Sequence, residues 1–120
     1  MLLDLDITSN PRATVLRVGG EVDVASAAEL RDCLHQVIQA RPGRLVVDLG
    51  QVGFIDSVGL GVLVAAHRRL RSLGEGSVMQ VVCADGLTQR ILRVTGLDRV
   101  FPVHATVAQA LADLPSPEPA

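Results

Sequence analysis

The sequence predicts a single α/β domain: a mixed central sheet, mostly parallel with an antiparallel N-terminal edge, and helices packed on it. Three observations carry this. Apolar spacing switches between a period of two and a period near 3.6 along the chain. From the third element onward strands and helices alternate, as crossover units require. Two short runs, Leu45 to Leu49 and Val78 to Cys83, are apolar but for Asp48 and Gln80, as strands covered on both faces are. The expected order is β-β-α-β-α-β-α-β-α, with the domain spanning 1–114 and a disordered tail at 115–120.

Leu3 to Ile7 alternates apolar and polar residues and reads as a half-buried strand; Asn10-Pro11 is a turn. Ala13 to Val18 alternates again until Gly19-Gly20 interrupts it, so the first two strands form a hairpin. Between Ser26 and Gln39 the period is helical, with Ala27, Leu30, Leu34, Val37 and Ile38 on one side, and Pro42-Gly43 stops it. Leu45 to Leu49 is the next strand, followed by a loop from Gly50 to Asp56 and a helix from Ser57 to Leu73. A strand at Val78 to Cys83, a short helix at Asp85 to Val94, a strand at Val100 to Val103 and a helix at Thr106 to Leu114 complete the chain.

Size and composition narrow the function. With 120 residues, 48% of them hydrophobic, the chain buries a core without disulfides or metal. The net charge is −2, and neither a basic block nor an aromatic cluster points to nucleic acid. All eleven basic residues are Arg. Without Lys there is no Schiff-base chemistry and no Walker-type phosphate lysine. The N-terminus lacks a signal peptide's basic region and long apolar stretch, and the longest near-apolar run, Val58 to Ala66, is far too short to span a bilayer. A cytoplasmic protein without membrane insertion is expected, with Cys33 and Cys83 as reduced, buried thiols.

The segment from Val46 to Gly61 carries the most information. Ser57 opens the second helical period, where its hydroxyl is placed to cap free backbone amides. Gly59 and Gly61 fall in the first turn, each costing about 1 kcal/mol against Ala. Either something approaches the backbone there or a neighbouring element packs tightly on it. The helix is apolar on more than one face: Leu60, Leu63, Val64 and Leu70 form a core stripe, and Val58, Val62, Ala65 and Ala66 widen it. The surplus is a docking patch or a surface covered by the C-terminal helix. The dipole and free amides of a helix N-terminus also accept an anion.

Val47-Asp48-Leu49, followed by Phe54-Ile55-Asp56-Ser57-Val58-Gly59-Leu60-Gly61, resembles the signature of STAS domains, specifically bacterial anti-sigma factor antagonists. Gly20-Glu21-Val22-Asp23 is similar to that family's entry into the first helix, and Gly96 to Val103 to its ending, so the likeness covers nearly the whole chain. The resemblance implies a non-enzymatic binding protein without a cofactor. Its unphosphorylated form binds an anti-sigma factor and so frees a sigma factor. The anti-sigma factor, often a serine kinase using ATP and Mg, phosphorylates Ser57 and the complex separates; a PP2C-type phosphatase reverses the modification. The implied partner-binding residues are Asp23, Asp56, Ser57, Val58, Gly59, Leu60, Gly61 and Val62, on a monomer that exchanges partners. Many relatives carry Ser or Thr after the acceptor; Val58 here leaves a single acceptor. Within the family, the alternative is an accessory subunit of a lipid or anion transport system, or of a stress-sensing complex, without phospho-regulation.

Other chemistries fit less well. Ser57, Asp98 and His104 occur in hydrolase order, but Ile55 stands where a nucleophile elbow needs Gly. Gly59-x-Gly61 lacks the third Gly of a dinucleotide loop, Val64 standing there. A phospho-aspartate receiver needs a Lys that is absent, and Asp4 and Asp6 lie mid-strand away from Asp48. His35, His67 and His104 are far apart and neither Cys belongs to a Cys-x-x-Cys pair, so no metal site is expected. His67 is expected at the rim of its helix, and Arg68, Arg69 and Arg71 on a solvated face or against an acidic partner.

Overall fold

The computed structural model describes residues 2–84 and 86–113. Five strands, β1 (Asp4–Ser9), β2 (Thr14–Val22), β3 (Arg44–Ile55), β4 (Val78–Val82) and β5 (Val103–His104), form one sheet in sequential order. β1 pairs antiparallel with β2, and every other neighbour is parallel. The helices are α1 (Ala27–Gln39), α2 (Ser57–Arg71), α3 (Leu87–Val94) and α4 (Val107–Ala112). The predicted class and order hold. A short 3₁₀ turn, Leu97–Arg99, was not expected. The anticipated tail at 115–120 lies outside the described residues, as do Asp85 and Leu114 at the ends of two expected helices.

Alternation along the strands divides the apolar residues between two faces. Leu16, Val18, Leu45, Val47, Met79 and Val81 meet α1, α2 and α3 in the main core. On the other face, Ala13, Val15, Val46 and Val82 are covered by Ala110 of α4. The five apolar positions read from the helical period of α1 are its five buried residues. Both cysteines are free thiols; Cys83 is buried and Cys33 half-buried. Burial, with the Asp48 carboxylate adding to it, pushes the Cys83 thiol up to about 11. It is therefore a packed hydrophobe rather than a nucleophile.

Three expected boundaries are corrected. Gly19-Gly20 does not end β2. Gly20 sits at φ +106, a conformation open to Gly, and the register with β3 shifts on either side of the pair, β3 carrying the extra residue each time, before Glu21-Val22 resume pairing with Phe54-Ile55. Correspondingly, Gly50 to Ile55 is not a loop: β3 continues along β2 beyond the end of β4. The last strand begins at Val103, because Val100 and Phe101 hydrogen-bond back to Leu97 in the 3₁₀ turn, where Phe101 is buried.

His67 is also corrected. It is only 9% exposed, lies edge-on to Phe101 with ring centroids 5.8 Å apart, and its Nδ1 is buried without a hydrogen-bond partner among the described residues. Burial, then the Arg71 and Arg68 charges, lower its pKa from 6.5. The folded state thus binds a proton less readily than the unfolded chain. Its contribution to stability is complete above about pH 6.5 and is lost as pH falls through the depressed folded value. His67→Gln, neutral throughout, is expected to show a smaller fall in melting temperature between pH 7 and pH 5 than the wild type. An unchanged slope would remove His67 from the acid response.

Candidate functional site around Ser57

The site lies where two neighbouring parallel strands end together. Val22 of β2 pairs with Ile55 of β3, and the Asp56 amide donates to the Val22 carbonyl at 3.0 Å. Asp23 and Asp56 therefore leave the sheet side by side, each into a helix N-terminus. Asp23 Oδ1 accepts from the Ala25 amide at 2.9 Å and the Ser26 amide at 3.1 Å, which folds the turn before α1.

Asp56, not Ser57, caps α2. Its backbone is extended, and its Oδ1 accepts from the Val58 and Gly59 amides at 3.0 Å each. This overturns the capping role expected of Ser57, since a carboxylate one residue earlier takes the Gly59 amide and starts the helix at Ser57 itself. Ser57 becomes the first helical residue. It is exposed, and its hydroxyl has no hydrogen-bond partner among the described residues. The two amides that would have cradled an anion are already engaged.

Gly59 and Gly61 separate on inspection. A Cβ on Gly59 would lie 2.6 Å from Val22 Cγ1 and 2.8 Å from Ile55 Cγ1, so Gly59 is buried by close packing of α2 on the strand ends. A Cβ on Gly61 would meet nothing within 4 Å. Val58 is 44% exposed, and Leu60 and Val62 are half-buried. α4 packs on the opposite face of the sheet, so the apolar surplus of α2 is not covered by it. Two further apolar residues stand at this end, Val24 at 76% and Phe54 at 42% exposure. Neither belongs to the quoted motif as a contact residue. Their signal was local: apolar residues just past, or at the end of, strands whose cores are already filled.

The rival constellations are not assembled. His104 lies against Gln80 Nε2 at 3.3 Å and Asp113 at 3.5 Å, and Ser57 has no imidazole partner. Asp48 pairs with Arg17 at 3.6 Å and accepts from the Gly50 amide. No three His, Cys, Asp or Glu residues among those described are grouped to hold a metal ion. No helix among the described residues is long and apolar enough to cross a membrane. Arg68, Arg69 and Arg71 are exposed in the last turn of α2, where they complement the helix dipole.

The model of the STAS domain family matches residues 4–110. The chain belongs to the STAS domain family. Anti-sigma-F factor antagonist RsfB of Mycobacterium tuberculosis is 32% identical over 109 residues, covering 91% of this chain and 87% of that protein. The anti-sigma-B factor antagonist of Bacillus subtilis is 30% identical, covering 88% of this chain and 94% of its own length. The crystal structure of an anti-sigma factor antagonist from Mycobacterium paratuberculosis superposes with a TM-score of 0.87, at 32% identity and 93% coverage of both chains. This STAS domain therefore shares its fold with that solved antagonist over 93% of its length.

Proposed function

We propose that this STAS domain is an anti-sigma factor antagonist switched by phosphorylation at Ser57. In its unphosphorylated form it binds an anti-sigma factor and releases the sigma factor. The relatives at 30–32% identity, matched over most of their length, support the class of partner. The observation that carries the switch is the exposed, unpartnered Ser57 hydroxyl beside a carboxylate that already does the capping. A structural serine at a helix start would hold those amides itself; this one is left free for a kinase.

The docking face consists of Ser57, Val58 and Gly61 of α2, with Asp23, Asp56, Val24 and Phe54 at the strand ends and Leu60 and Val62 contributing at its edge. Gly59 acts beneath it by letting α2 approach β2 and β3. The phosphoryl donor is the anti-sigma factor acting as a serine kinase with ATP and Mg, and a PP2C-type phosphatase restores the free hydroxyl. The protein itself performs no chemistry.

The test incubates the protein with its anti-sigma kinase and Mg-ATP and maps phosphate by mass spectrometry. One phosphate, on Ser57, with none acquired by Ser57→Ala, is expected. Phosphate elsewhere, or none on a protein that still binds the kinase, would refute the switch.

A further inference from the structure

The turn that joins β2 to α1 closes on itself. Asp23 Oδ1 accepts from the Ala25 and Ser26 amides, and the Asp23 carbonyl accepts from the Ser26 and Ala27 amides at 3.1 and 2.8 Å. Ser26 answers in the other direction. Its Oγ accepts from the Asp23 amide at 3.0 Å and donates to the Glu21 carbonyl of β2 at 2.7 Å. The side chains of Asp23 and Ser26 thus satisfy each other's backbone amides, and Ser26 ties the start of α1 to the end of β2. Ser26 is only 1% exposed, so solvent does not compete for these bonds.

Val24 is the residue that this closure leaves over. It is 76% exposed, its side chain takes no part in the turn's hydrogen bonds, and turn chemistry does not select a β-branched apolar residue. A lone exposed Val is ordinary. This one is not alone. Phe54 pairs across the sheet with Glu21, and Val58 follows Ser57 in the first turn of α2, so three exposed apolar side chains stand at the strand ends that lead to Ser57. A loop already fixed before contact is spared the entropy loss of ordering when it binds.

We infer that the Asp23–Ser26 turn is a preformed recognition element, with Val24 as its specificity-determining contact and Ser26 as the buried positioning residue that aims it. The inference rests on the docking face proposed above and names the chemistry of the partner there: the anti-sigma factor presents an apolar pocket to Val24. Asp23 contributes by holding the turn.

Calorimetric titration of the full chain with its anti-sigma factor, beside urea unfolding of each variant, tests this. Val24→Ser is expected to bind about tenfold more weakly with an unchanged urea midpoint, because the side chain lies outside the core. Ser26→Ala is expected to lose at least as much affinity. The double variant is expected to bind no more weakly than Ser26→Ala alone, since Ser26 acts through Val24; a purely structural Ser26 would make the two losses additive. Should Ser26→Ala fail to fold, Asp23 supplies the same test: Asp23→Ala is expected to lose about tenfold, and Asp23→Asn, which keeps the acceptor without the charge, to regain most of it. Val24→Ser within about threefold of wild type, additive losses, or no rescue by Asp23→Asn would overturn the inference. If Ser57→Asp is weakened in the same titrations, the phosphorylation switch survives that failure. Ser57→Asp binding like wild type while Val24→Ser is weakened would remove the switch and leave the recognition turn standing.

Discussion

Ser57→Asp is expected to bind the anti-sigma factor roughly seventyfold more weakly than the wild type, and Ser57→Ala within about threefold of it. The estimate follows from what docking does to charges already present. Asp56 stands next to Ser57, and Asp23 leaves the neighbouring strand end at the same level. Two unit charges about 5 Å apart repel by about 0.8 kcal/mol in water and about 3.3 kcal/mol at an effective dielectric of 20. In the free protein the added charge is tolerated, because solvent surrounds it and the α2 dipole favours it. When a partner covers the site, water leaves and the repulsion from Asp56 alone rises by about 2.5 kcal/mol, which gives the seventyfold; Asp23 adds to it. The fold need not change; only the complex is penalised.

A true phosphoryl group carries about −1.5 to −2 charges and exceeds the effect of Asp. Because Asp56 already holds the Val58 and Gly59 amides, the fold offers the phosphate no cradle that would hide it. Calorimetric titration at low and high salt checks this. The gap between Ser57→Asp and wild type narrows as ionic strength rises. Binding of Ser57→Asp within threefold of wild type at low salt would refute the electrostatic account.

Much of the fold was legible because its signals are local and repeated. The helical period of α1 named all five of its buried residues. The apolar runs of β3 and β4 marked strands covered on both faces. What failed depended on partners distant in sequence. Gly50 to Ile55 looks like a loop because its residues are mixed in character; it is a strand because β2 continues beside it past the register shifts around Gly19-Gly20. His67 looked polar enough for a rim, yet Phe101 from another element supplies its wall. The identity of the cap was a contest between adjacent residues with similar propensities. Backbone geometry decided it for Asp56, by placing that residue in the extended conformation from which its carboxylate reaches two amides.

The same contrast between local rule and distant partner makes the two α2 glycines a test of the site. By helix propensity, Gly59→Ala and Gly61→Ala should each stabilise the protein by about 1 kcal/mol. The packing predicts opposite signs. The new methyl at Gly59 would lie 2.6 Å from Val22 and 2.8 Å from Ile55, both buried side chains without room to turn aside. Overpacking of this kind costs about 1–3 kcal/mol, and an approach this close belongs at or above the upper end. Gly59→Ala is therefore expected to lose about 2 kcal/mol net in urea unfolding. Gly61→Ala meets nothing and is expected to gain 0.5–1 kcal/mol, about what propensity alone allows. A glycine that weakens its own helix without serving the packing calls for a reason outside the fold. On the proposed face that reason is a partner's close approach to the α2 backbone. Gly61→Ala should then be more stable than wild type and bind the anti-sigma factor about tenfold less tightly, a separation that no folding defect can produce. Wild-type affinity in Gly61→Ala would take Gly61 out of the docking face, and a stabilised Gly59→Ala would show that α2 can shift off the strand ends.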